Sequence, residues 1–422
     1  MESARIAGRS FSPLDEELQL LPGSLTPPLH EVLVRLGAWM PFGSAQEMLV
    51  DFMKLNSLSE ATVRRRTEAA GAAYVACQEQ AVTKLELGQE LSPGVAAQQL
   101  VLEVDGAMVP LVGGEWAEVK TLVIGEPAEA ADESAAELGA LESISSFSRL
   151  TDAENFTRMA LVETQRRGVE AAERVALVSD GAEWIQGFGD YHCPDGVRIL
   201  DFPHAAEYLA EIGQGVFGEG ASAPNGWLSQ QLHRLKHEGA SPVLAELRSL
   251  IQTQETDLSK PLAYLAKRED QMQYPIFQTQ GWPLGSGAVE SANKLVVEAR
   301  LKGGGMHWAR CQVNPMLALR NIVCSDRWAE AWPQIASRLR EPALPRARTP
   351  IEKEGSSAAL EAKAQLGSLA EPAVMVKSRT EVEIPNGPPV SKTDHRPAAH
   401  HPWRRAPVGR AKYQYLPKAT PK

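Results

Sequence analysis

The stretch Leu100-Val101-Leu102-Glu103-Val104-Asp105 decides how this sequence is interpreted. An apolar run of this length predicts a buried β-strand, and this one ends in a carboxylate. The stretch Val175-Ala176-Leu177-Val178-Ser179-Asp180 repeats the pattern and is followed by Gly181. The sequence therefore predicts two core strands that each place an aspartate at their carboxyl end.

Further strands surround these two. Met108 to Val112 and Glu118 to Gly125 predict two short strands, and Gly113-Gly114 between them is typical of a turn. We expect these two strands to form an antiparallel hairpin. Asn155 to Gly168 has a helical pattern, and Val197 to Phe202 predicts a strand that follows the one ending in Asp180. The result is a mixed sheet with a helix between its strands.

The chain then becomes helical from Ala205 to about Lys267. A further helix from about Ala288 to Leu301 carries Glu290, and Asn314 to Cys324 predicts the last ordered helix. A hairpin, a helix, the Asp180 strand, another strand, a helical insertion and the Glu290 helix follow each other in the order of a ribonuclease-H-like α/β fold. Such a fold places the two aspartates at adjacent strand ends, with the glutamate approaching from a helix.

The N-terminal part of the chain has a different texture. Residues 14–75 are predicted to be helical, because their apolar residues recur at helical spacing. Ser59 can cap a helix that carries Arg64, Arg65 and Arg66 near its start. A short helix, a turn and a basic helix suit a helix-turn-helix reader of DNA. The alternative is a surface helix with a basic face.

Composition divides the chain into five predicted segments. They are a helical DNA-binding region at 1–95, the first part of a ribonuclease-H-like catalytic core at 96–204, a helical insertion at 205–280, the last part of the core at 281–335, and a Pro-rich tail at 336–422. The tail is rich in Pro, Ala, Ser and charged residues, so we expect it to be largely disordered.

The net charge of −10 is unusual for a protein that binds DNA, whose phosphates are neutralised by Lys and Arg. The distribution matters more than the sum. Nine acids and two arginines lie between Glu126 and Glu163, whereas eight bases and one acid lie between Ser391 and the C-terminus. The acidic excess is therefore concentrated away from the basic ends, and DNA binding stays compatible with the composition.

Location follows from two absences in the sequence. No run of 18 apolar residues exists, and the first thirty residues lack a signal-peptide pattern. The four cysteines are far apart and form no Cys-x-x-Cys pair, so they indicate neither a zinc ribbon nor a disulfide framework. We expect a soluble cytoplasmic protein without a membrane partner.

Clustered carboxylates repel one another, so Asp105, Asp180 and Glu290 make chemical sense together around hard cations. Two Mg²⁺ ions, or Mn²⁺, can activate a water or a 3′-hydroxyl and stabilise the leaving oxygen at a phosphodiester. Taken singly, each residue has a structural alternative. An aspartate after a strand is often a turn former or a helix cap, and a glutamate in the first helical turn is favoured by the helix dipole.

Several blocks of sequence resemble bacterial insertion-sequence transposases of the Kra group. The third-carboxylate block is the most specific part of the resemblance, which extends over about residues 12–330. The similar blocks are Leu14 to Gly71, Val104-Asp105-Gly106, Val178-Ser179-Asp180-Gly181-Ala182, Gly285-Ser286-Gly287-Ala288-Val289-Glu290-Ser291-Ala292, Arg300-Leu301-Lys302 and Gly305-Met306-His307-Trp308. The resemblance implies metal-dependent DNA cleavage and strand transfer by an Asp-Asp-Glu (DDE) triad.

The resemblance also implies roles for residues around the triad. Asp201-Phe202-Pro203-His204 is similar to a motif after the second aspartate, where the histidine contacts the scissile phosphate or steers a proton; alternatively, it only begins the insertion. Trp308 stacks on an unpaired base or is a core aromatic. Arg300 and Lys302 meet DNA phosphates, or are simply exposed helix charges.

Members of the group usually carry a cysteine-rich, zinc-ribbon-like segment ahead of the region that matches Phe11 to Leu18. That segment is absent here, so we expect a truncated copy with weaker recognition of element ends. The expected partners are the terminal inverted repeats and target DNA, held by a homo-oligomer. Two alternatives are a nuclease of the same fold that does not join DNA, and an inactive copy that regulates by binding DNA.

Overall fold

The computed structural model describes residues 25–55, 58–89, 97–128, 140–218, 226–252 and 258–341, with Leu21 and two short strands, Arg5–Ile6 and Arg9–Ser10, that pair antiparallel. All of these residues belong to one compact unit. The predicted disordered tail lies outside the described residues from residue 342 onward. Its first residues, 336–340, belong to a helix instead.

A five-stranded mixed sheet forms the centre of this unit. Its strands are β1 Gln99–Pro110, β2 Trp116–Pro127, β3 Leu141–Arg149, β4 Arg174–Ser179 and β5 Val197–Leu200. Their order across the sheet is β3-β2-β1-β4-β5. The first three strands pair antiparallel, whereas β1 pairs parallel with β4, and β4 pairs parallel with β5. The predicted hairpin and the mixed sheet are confirmed.

Strand β1 corrects one prediction. The two short strands expected at Leu100–Asp105 and Met108–Val112 are a single strand of 12 residues, so Asp105 lies inside β1 and not at its end. The strand continues because residues 105–110 stay paired with residues 116–121 of β2. Strand β3 was not predicted, since serines interrupt its apolar pattern.

Fourteen α-helices lie within the described ranges. They are α1 Pro27–Trp39, α2 Phe42–Met53, α3 Glu60–Glu86, α4 Ala153–Arg166, α5 Glu183–His192, α6 Phe202–Phe217, α7 Trp227–Glu238, α8 Ala240–Ile251, α9 Ser259–Lys267, α10 Tyr274–Thr279, α11 Gly287–Ala292, α12 Ala299–Leu301, α13 Arg310–Cys324 and α14 Trp328–Arg340. A π-helical stretch, Asn293–Glu298, joins α11 to α12. We call this continuous segment, residues 287–301, the Glu290 helix.

The two faces of the sheet pack against different elements, because successive side chains of a strand point to opposite faces. On one face, Leu102 and Val104 of β1 pack with Phe156 of α4 and Phe188 of α5. On the other face, Val101 packs with the insertion helices α6 to α9, and residues nearer the hairpin turn pack with the Glu290 helix. Asp105 belongs to this second face.

The N-terminal helices are built on a capped start and a shared core. The Ser59 hydroxyl accepts a hydrogen bond from the Thr62 amide at 3.3 Å, so the predicted cap of α3 is confirmed. Helices α1 to α3 bury apolar side chains against α13 and α14, with Leu33, Tyr74, Leu319 and Ile335 in one cluster. The region predicted as a separate segment thus shares its core with the end of the described chain.

Within the described ranges, none of the helices combines the length and the apolar character that crossing a membrane requires.

Candidate active site

Asp105 and Asp180 lie side by side because of the parallel register of their strands. Val104 of β1 is opposite Ser179 of β4; Asp105 directly follows Val104, and Asp180 directly follows Ser179. Asp105 is inside β1, whereas Asp180 directly follows β4. Parallel strands advance in the same direction, so both aspartates reach the same region of the sheet.

The pKa of Asp105 reports what surrounds this carboxyl. Burial raises its pKa most, and the negative charges of Asp180 and Glu290 raise it further. Hydrogen bonds from the Gly106 backbone and the Asn293 side chain act in the opposite direction. A like charge nearby disfavours the ionised form of a carboxyl group. The charges of Asp180 and Glu290 are therefore close enough to Asp105 to raise its pKa.

Glu290 lies in the first turn of its helix and pairs with a lysine at the surface. Its side chain is 56% exposed, and one carboxylate oxygen lies 3.7 Å from the ammonium of Lys294, one turn later. Across the residues that the structure describes, no three Asp, Glu, His or Cys side chains are grouped closely enough to hold a metal ion. Asp105, Asp180 and Glu290 are therefore not grouped as metal ligands in this structure.

Two further acids fasten the start of the Glu290 helix to the sheet. Glu103, two residues before Asp105 on the same face of β1, accepts a hydrogen bond from the Val289 amide at 2.8 Å. Asp201 accepts one from the Ser286 amide, also at 2.8 Å. These carboxyl groups satisfy backbone N–H groups that a helix start leaves without partners. They therefore fix where Glu290 begins its turn above the sheet.

The carboxyl group of Glu103 is strongly perturbed by its surroundings. Burial raises its pKa to about 8, backbone hydrogen bonds from residues 288 and 289 oppose the rise, and the charges of Asp201 and Glu290 add to it. At neutral pH the group is therefore mostly protonated. Sequence reasoning missed Glu103, although an acid inside an apolar strand, two positions from Asp105, is a signal that it shares that face.

Asn293 is a second residue that sequence reasoning missed. Its side-chain amide donates a hydrogen bond to Oδ2 of Asp105 at 3.0 Å. Asn293 is buried, and its Oδ1 finds no hydrogen-bond partner among the described residues. It is also the first residue of the π-helical stretch. Its distance of three residues from Glu290 places both on neighbouring positions of one helix face, which is a usable signal.

Two residues of the helical insertion donate hydrogen bonds to the backbone of the segment that carries Asp180. The Tyr264 hydroxyl donates a hydrogen bond to the backbone oxygen of Asp180. The Arg268 guanidinium donates two hydrogen bonds to the backbone oxygen of Gly181, at 3.0 and 2.6 Å, and lies over the Tyr264 ring. The Asp180 carboxylate itself accepts a bond from the Ala182 amide at 2.9 Å. Asp180 is thereby held from both its backbone and its side chain.

His204 lies at the start of the insertion, beside Tyr264. Asp201 caps helix α6, because its carboxylate accepts a hydrogen bond from the His204 amide at 3.2 Å. The His204 ring contacts Tyr208 and Tyr264 edge-on, and its Nδ1 lies 3.4 Å from Glu207. Tyr264 also donates a hydrogen bond to the backbone of Asp180, so His204 lies near the predicted site. Among the hydrogen bonds of the described residues, none joins the His204 side chain to the three carboxylates.

Two residues that were predicted to contact DNA are largely buried in the fold. Arg300 is 2% exposed, donates two hydrogen bonds to the Gly37 carbonyl oxygen, and lies between the rings of Phe42 and Trp308. Trp308 is itself 7% exposed and packs in the core. Arg300 is therefore not an exposed helix charge, and for Trp308 the core alternative applies. What remains accessible of both residues lines the wall of a cavity at the surface.

The other basic candidates remain at the surface. Arg64 and Arg65 on α3 are exposed, and Arg66 is half-buried. Lys302 is partly exposed and pairs with Glu298 at 2.6 Å. Arg64 also lines a cavity of about 570 Å³ together with Val112 at the hairpin turn and the Met306–Trp308 loop. Two blocks that are far apart in the sequence, the arginine helix and this loop, thus meet at one surface.

The sequence matches no protein-family model and no curated protein at a significant level.

Proposed function

We propose that this protein is a DDE-type DNA transposase, in which Asp105, Asp180 and Glu290 hold the divalent cations for cleavage and strand transfer. The observation that carries the proposal is the parallel register of β1 and β4, which sets the two aspartates side by side. The Glu290 helix packs on the same face of the sheet, and the charges of Asp180 and Glu290 raise the pKa of Asp105.

The sheet supports a ribonuclease-H-like architecture for the proposed enzyme. Three antiparallel strands followed by two parallel ones, in the order β3-β2-β1-β4-β5, suit this fold, and β3 is a strand that the sequence did not predict. The insertion, helices α6 to α10, falls between β5 and the Glu290 helix, where the proposal requires it. A nuclease of the same architecture would share these features, so strand transfer has to be tested directly.

The donor set fits Mg²⁺ or Mn²⁺ in kind, because carboxylate oxygens are the ligands that hard cations prefer. It also gives a reason for the charges of Asp180 and Glu290 to act on a half-buried Asp105 in spite of their repulsion. When bound, the cations supply activation of the attacking oxygen and stabilisation of the leaving oxygen. Asp105, Asp180 and Glu290 are the residues that would hold them.

The protein's own part in the chemistry is positioning. Tyr264 and Arg268 fix the backbone at Asp180 and Gly181, and Glu103 fixes the start of the Glu290 helix. Glu290 has to exchange its contact with Lys294 for the site, which is an inexpensive side-chain rotation because exposed ion pairs contribute little stability. His204, next to Tyr264, is the proposed contact to the scissile phosphate.

Helices α2 and α3 are the proposed DNA-reading elements, with Arg64 and Arg65 as phosphate contacts. Both side chains are exposed, and they lie near the start of α3. Replacing both arginines by alanine should weaken binding to all duplexes alike and reduce the salt dependence of binding by about two phosphate contacts. A fluorescence-anisotropy titration at several salt concentrations measures this; an unchanged slope contradicts the assignment.

The proposed activity is tested with purified full-length protein, Mg²⁺ or Mn²⁺, a target plasmid, and a labelled duplex that carries the inverted repeats flanking the gene. The wild type should give joined product, and Asp180→Ala should abolish it. Asp195→Ala is the matched control, because Asp195 is exposed and precedes β5, at the opposite end of the parallel strands. Its product yield should equal that of the wild type.

The other outcomes identify the alternatives. Cleavage without joining supports a ribonuclease-H-like nuclease. Binding without cleavage supports a DNA-binding regulator, and no metal-dependent reaction at all contradicts an enzymatic role. Because two element ends have to be joined at once, the active species is expected to be a dimer or larger, which light scattering of the protein–DNA complex measures.

A further inference from the structure

We propose that Asn293 is a positioning residue that orients the Asp105 carboxylate for cation binding. This inference rests on the proposed function, since it takes Asp105 to be a cation ligand. It adds a residue outside the three carboxylates and gives the π-helical stretch a purpose.

The first observation is the contact itself. The Asn293 amide nitrogen lies 3.0 Å from Oδ2 of Asp105. An ionised carboxylate only accepts hydrogen bonds, so the amide nitrogen must face it. Because Asp105 is inside β1 and Asn293 is on a helix 188 residues later, the bond holds one carboxylate oxygen in a fixed direction across the helix–sheet interface.

The second observation is the unsatisfied half of the same amide. Asn293 is 6% exposed, and its Oδ1 has no hydrogen-bond partner among the described residues. A buried acceptor without a partner costs about 1–3 kcal/mol, whereas an apolar residue of similar shape has no such cost. Packing alone therefore does not favour asparagine here. The hydrogen bond that the amide donates to Asp105 does favour asparagine at this position.

The third observation is that another helix holds the backbone next to Asn293 in place by hydrogen bonds. Residues 293–298 form a π-helix, whose turns are rare and frequently occur at functional sites. The buried guanidinium of Arg320 donates hydrogen bonds to the carbonyl oxygens of Val296 and Leu295 within this stretch. The stretch is thus held in place from α13. Asn293 is presented to Asp105 by a supported backbone and not by a freely moving helix end.

Two adjacent residues of the Glu290 helix contact two different carboxylates, one in the interior and one at the surface. Asn293 donates to Asp105 from the buried side, and Lys294 pairs with Glu290 at the surface. The Asn293–Asp105 contact is part-buried, so solvent weakens it less than the exposed Lys294–Glu290 pair. Asn293 is therefore the residue of this pair whose loss should affect cation binding.

The test uses Mn²⁺ alone and the full-length protein. Free Mn²⁺ is measured by electron paramagnetic resonance during titration of the wild type, Asn293→Leu, Asn321→Leu and Asp105→Ala. Asn321 is the matched control, since it is also buried, also has an unpartnered Oδ1 among the described residues, and donates to the Ser148 carbonyl oxygen instead of a carboxylate. Asn→Leu keeps a side chain of similar shape at both positions.

We expect Asn293→Leu to weaken Mn²⁺ binding about 10–100-fold, the usual effect of losing a hydrogen bond to a metal ligand. Asn321→Leu should bind Mn²⁺ like the wild type. Strand transfer by Asn293→Leu should recover when the Mn²⁺ concentration is raised by the same factor. A merely structural role would lower the stability of both variants equally and leave both affinities unchanged.

The controls separate the possible failures. If Asp105→Ala loses Mn²⁺ binding while Asn293→Leu keeps wild-type affinity, the positioning role is refuted and the proposed function stands. If Asp105→Ala also binds like the wild type, the cation site itself is refuted, together with both proposals. Where a leucine variant fails to fold by circular dichroism, the pair Asn293→Ala and Asn321→Ala gives the same comparison without added side-chain volume.

Discussion

Glu103 is fully buried beneath the Glu290 helix, and burial raises its pKa to about 8. Below its ordinary pKa of 4.5 the side chain is protonated in both the folded and the unfolded protein. Between about 4.5 and 8 the unfolded chain loses this proton and the folded protein keeps it. The contribution of Glu103 to folding stability is therefore lost as the pH rises through this window.

Glu103→Gln should remove this pH dependence. In metal-free buffer with a chelator, the wild type should lose up to about 1.4 kcal/mol of unfolding free energy per pH unit from this group alone. The glutamine variant lacks that slope, so its stability relative to the wild type should increase from pH 5 to pH 8. Urea unfolding at pH 5, 6, 7 and 8 measures this. Exposed Glu207→Gln is the control, and parallel curves for wild type and Glu103→Gln contradict the assigned pKa.

Single residues were predictable where the deciding partner is close in sequence. The Ser59 cap needs only the Thr62 amide, three residues later. Asn293 was not predicted, because its partner Asp105 is 188 residues away. The burial of Arg300 was not predicted for a related reason: a charged residue on a helix is normally exposed, and only the folded chain supplies the Gly37 carbonyl and the aromatic rings around it.

At the scale of elements, the end of β4 depends on the insertion. Gly181 has φ +79°, a conformation that glycine adopts easily and other residues do not. A Cβ atom at this position would lie 2.5 Å from Nε of Arg268, the side chain that grips the Gly181 carbonyl. The turn after Asp180 can therefore be tight only because the residue there has no side chain.

Gly181→Ala should destabilise the protein and reduce strand transfer. The left-handed backbone costs about 1–2 kcal/mol for alanine, and displacement of Arg268 adds to that cost. Gly114→Ala in the hairpin turn is the matched control, since Gly114 has φ +85° and a Cβ atom there would have no other described atom within 4 Å. Thermal unfolding should show a loss larger by at least about 1 kcal/mol for Gly181→Ala. Equal losses of stability would mean that the Arg268 side chain moves away from the added Cβ atom without cost, which would contradict the prediction.

Elements were predictable where hydrophobic periodicity is strong. The insertion helices α7 and α8 follow the leucine spacing seen in the sequence, and the β1–β2 hairpin follows its glycine turn. The break expected at Gly106-Ala107 does not occur, because pairing with β2 carries the strand through it. Strand β3 was missed because its serines make it look like a loop.

At the scale of the whole molecule, two buried arginines connect the first described helix to the Glu290 helix. Arg300 bonds to the Gly37 carbonyl oxygen at the end of α1, and Arg320 bonds to that of Ala38 at 3.3 Å and to two carbonyls of the π-helical stretch. Burial, and then the charge of Arg320, lower the pKa of Arg300 to about 10. Both remain charged at neutral pH.

Arg300→Lys should destabilise the fold by about 1–3 kcal/mol, because lysine cannot bond twice to one carbonyl and stack between two rings. Arg310→Lys is the control, since Arg310 is exposed at the start of α13, and it should change stability by less than about 0.5 kcal/mol. Hydrogen exchange should show lost protection in both α1 and the Glu290 helix of Arg300→Lys. Loss confined to one of them would contradict the connection.

The division of the chain into segments was the part least accessible to sequence. The region 1–95 has a composition of its own, yet α1 to α3 pack in one apolar cluster with α13 and α14. Local periodicity defines helices but does not say which helices share a core. That information lies in contacts between the two ends of the described chain, such as the Trp328 indole donating to Glu31.

The buried arginines also change how the positive charge of this protein is counted. Lys and Arg number 43 in the sequence, but some of them are enclosed by carbonyl oxygens and aromatic rings in the interior. Among the residues that the structure describes, the arginines that are at most 6% exposed are Arg149, Arg268, Arg300 and Arg320. Binding to DNA releases condensed counterions only for charges that reach its phosphates, with a slope of about 0.9 per contact. Under the proposed function, a salt titration will therefore count surface cations alone, and these four arginines will be invisible to it.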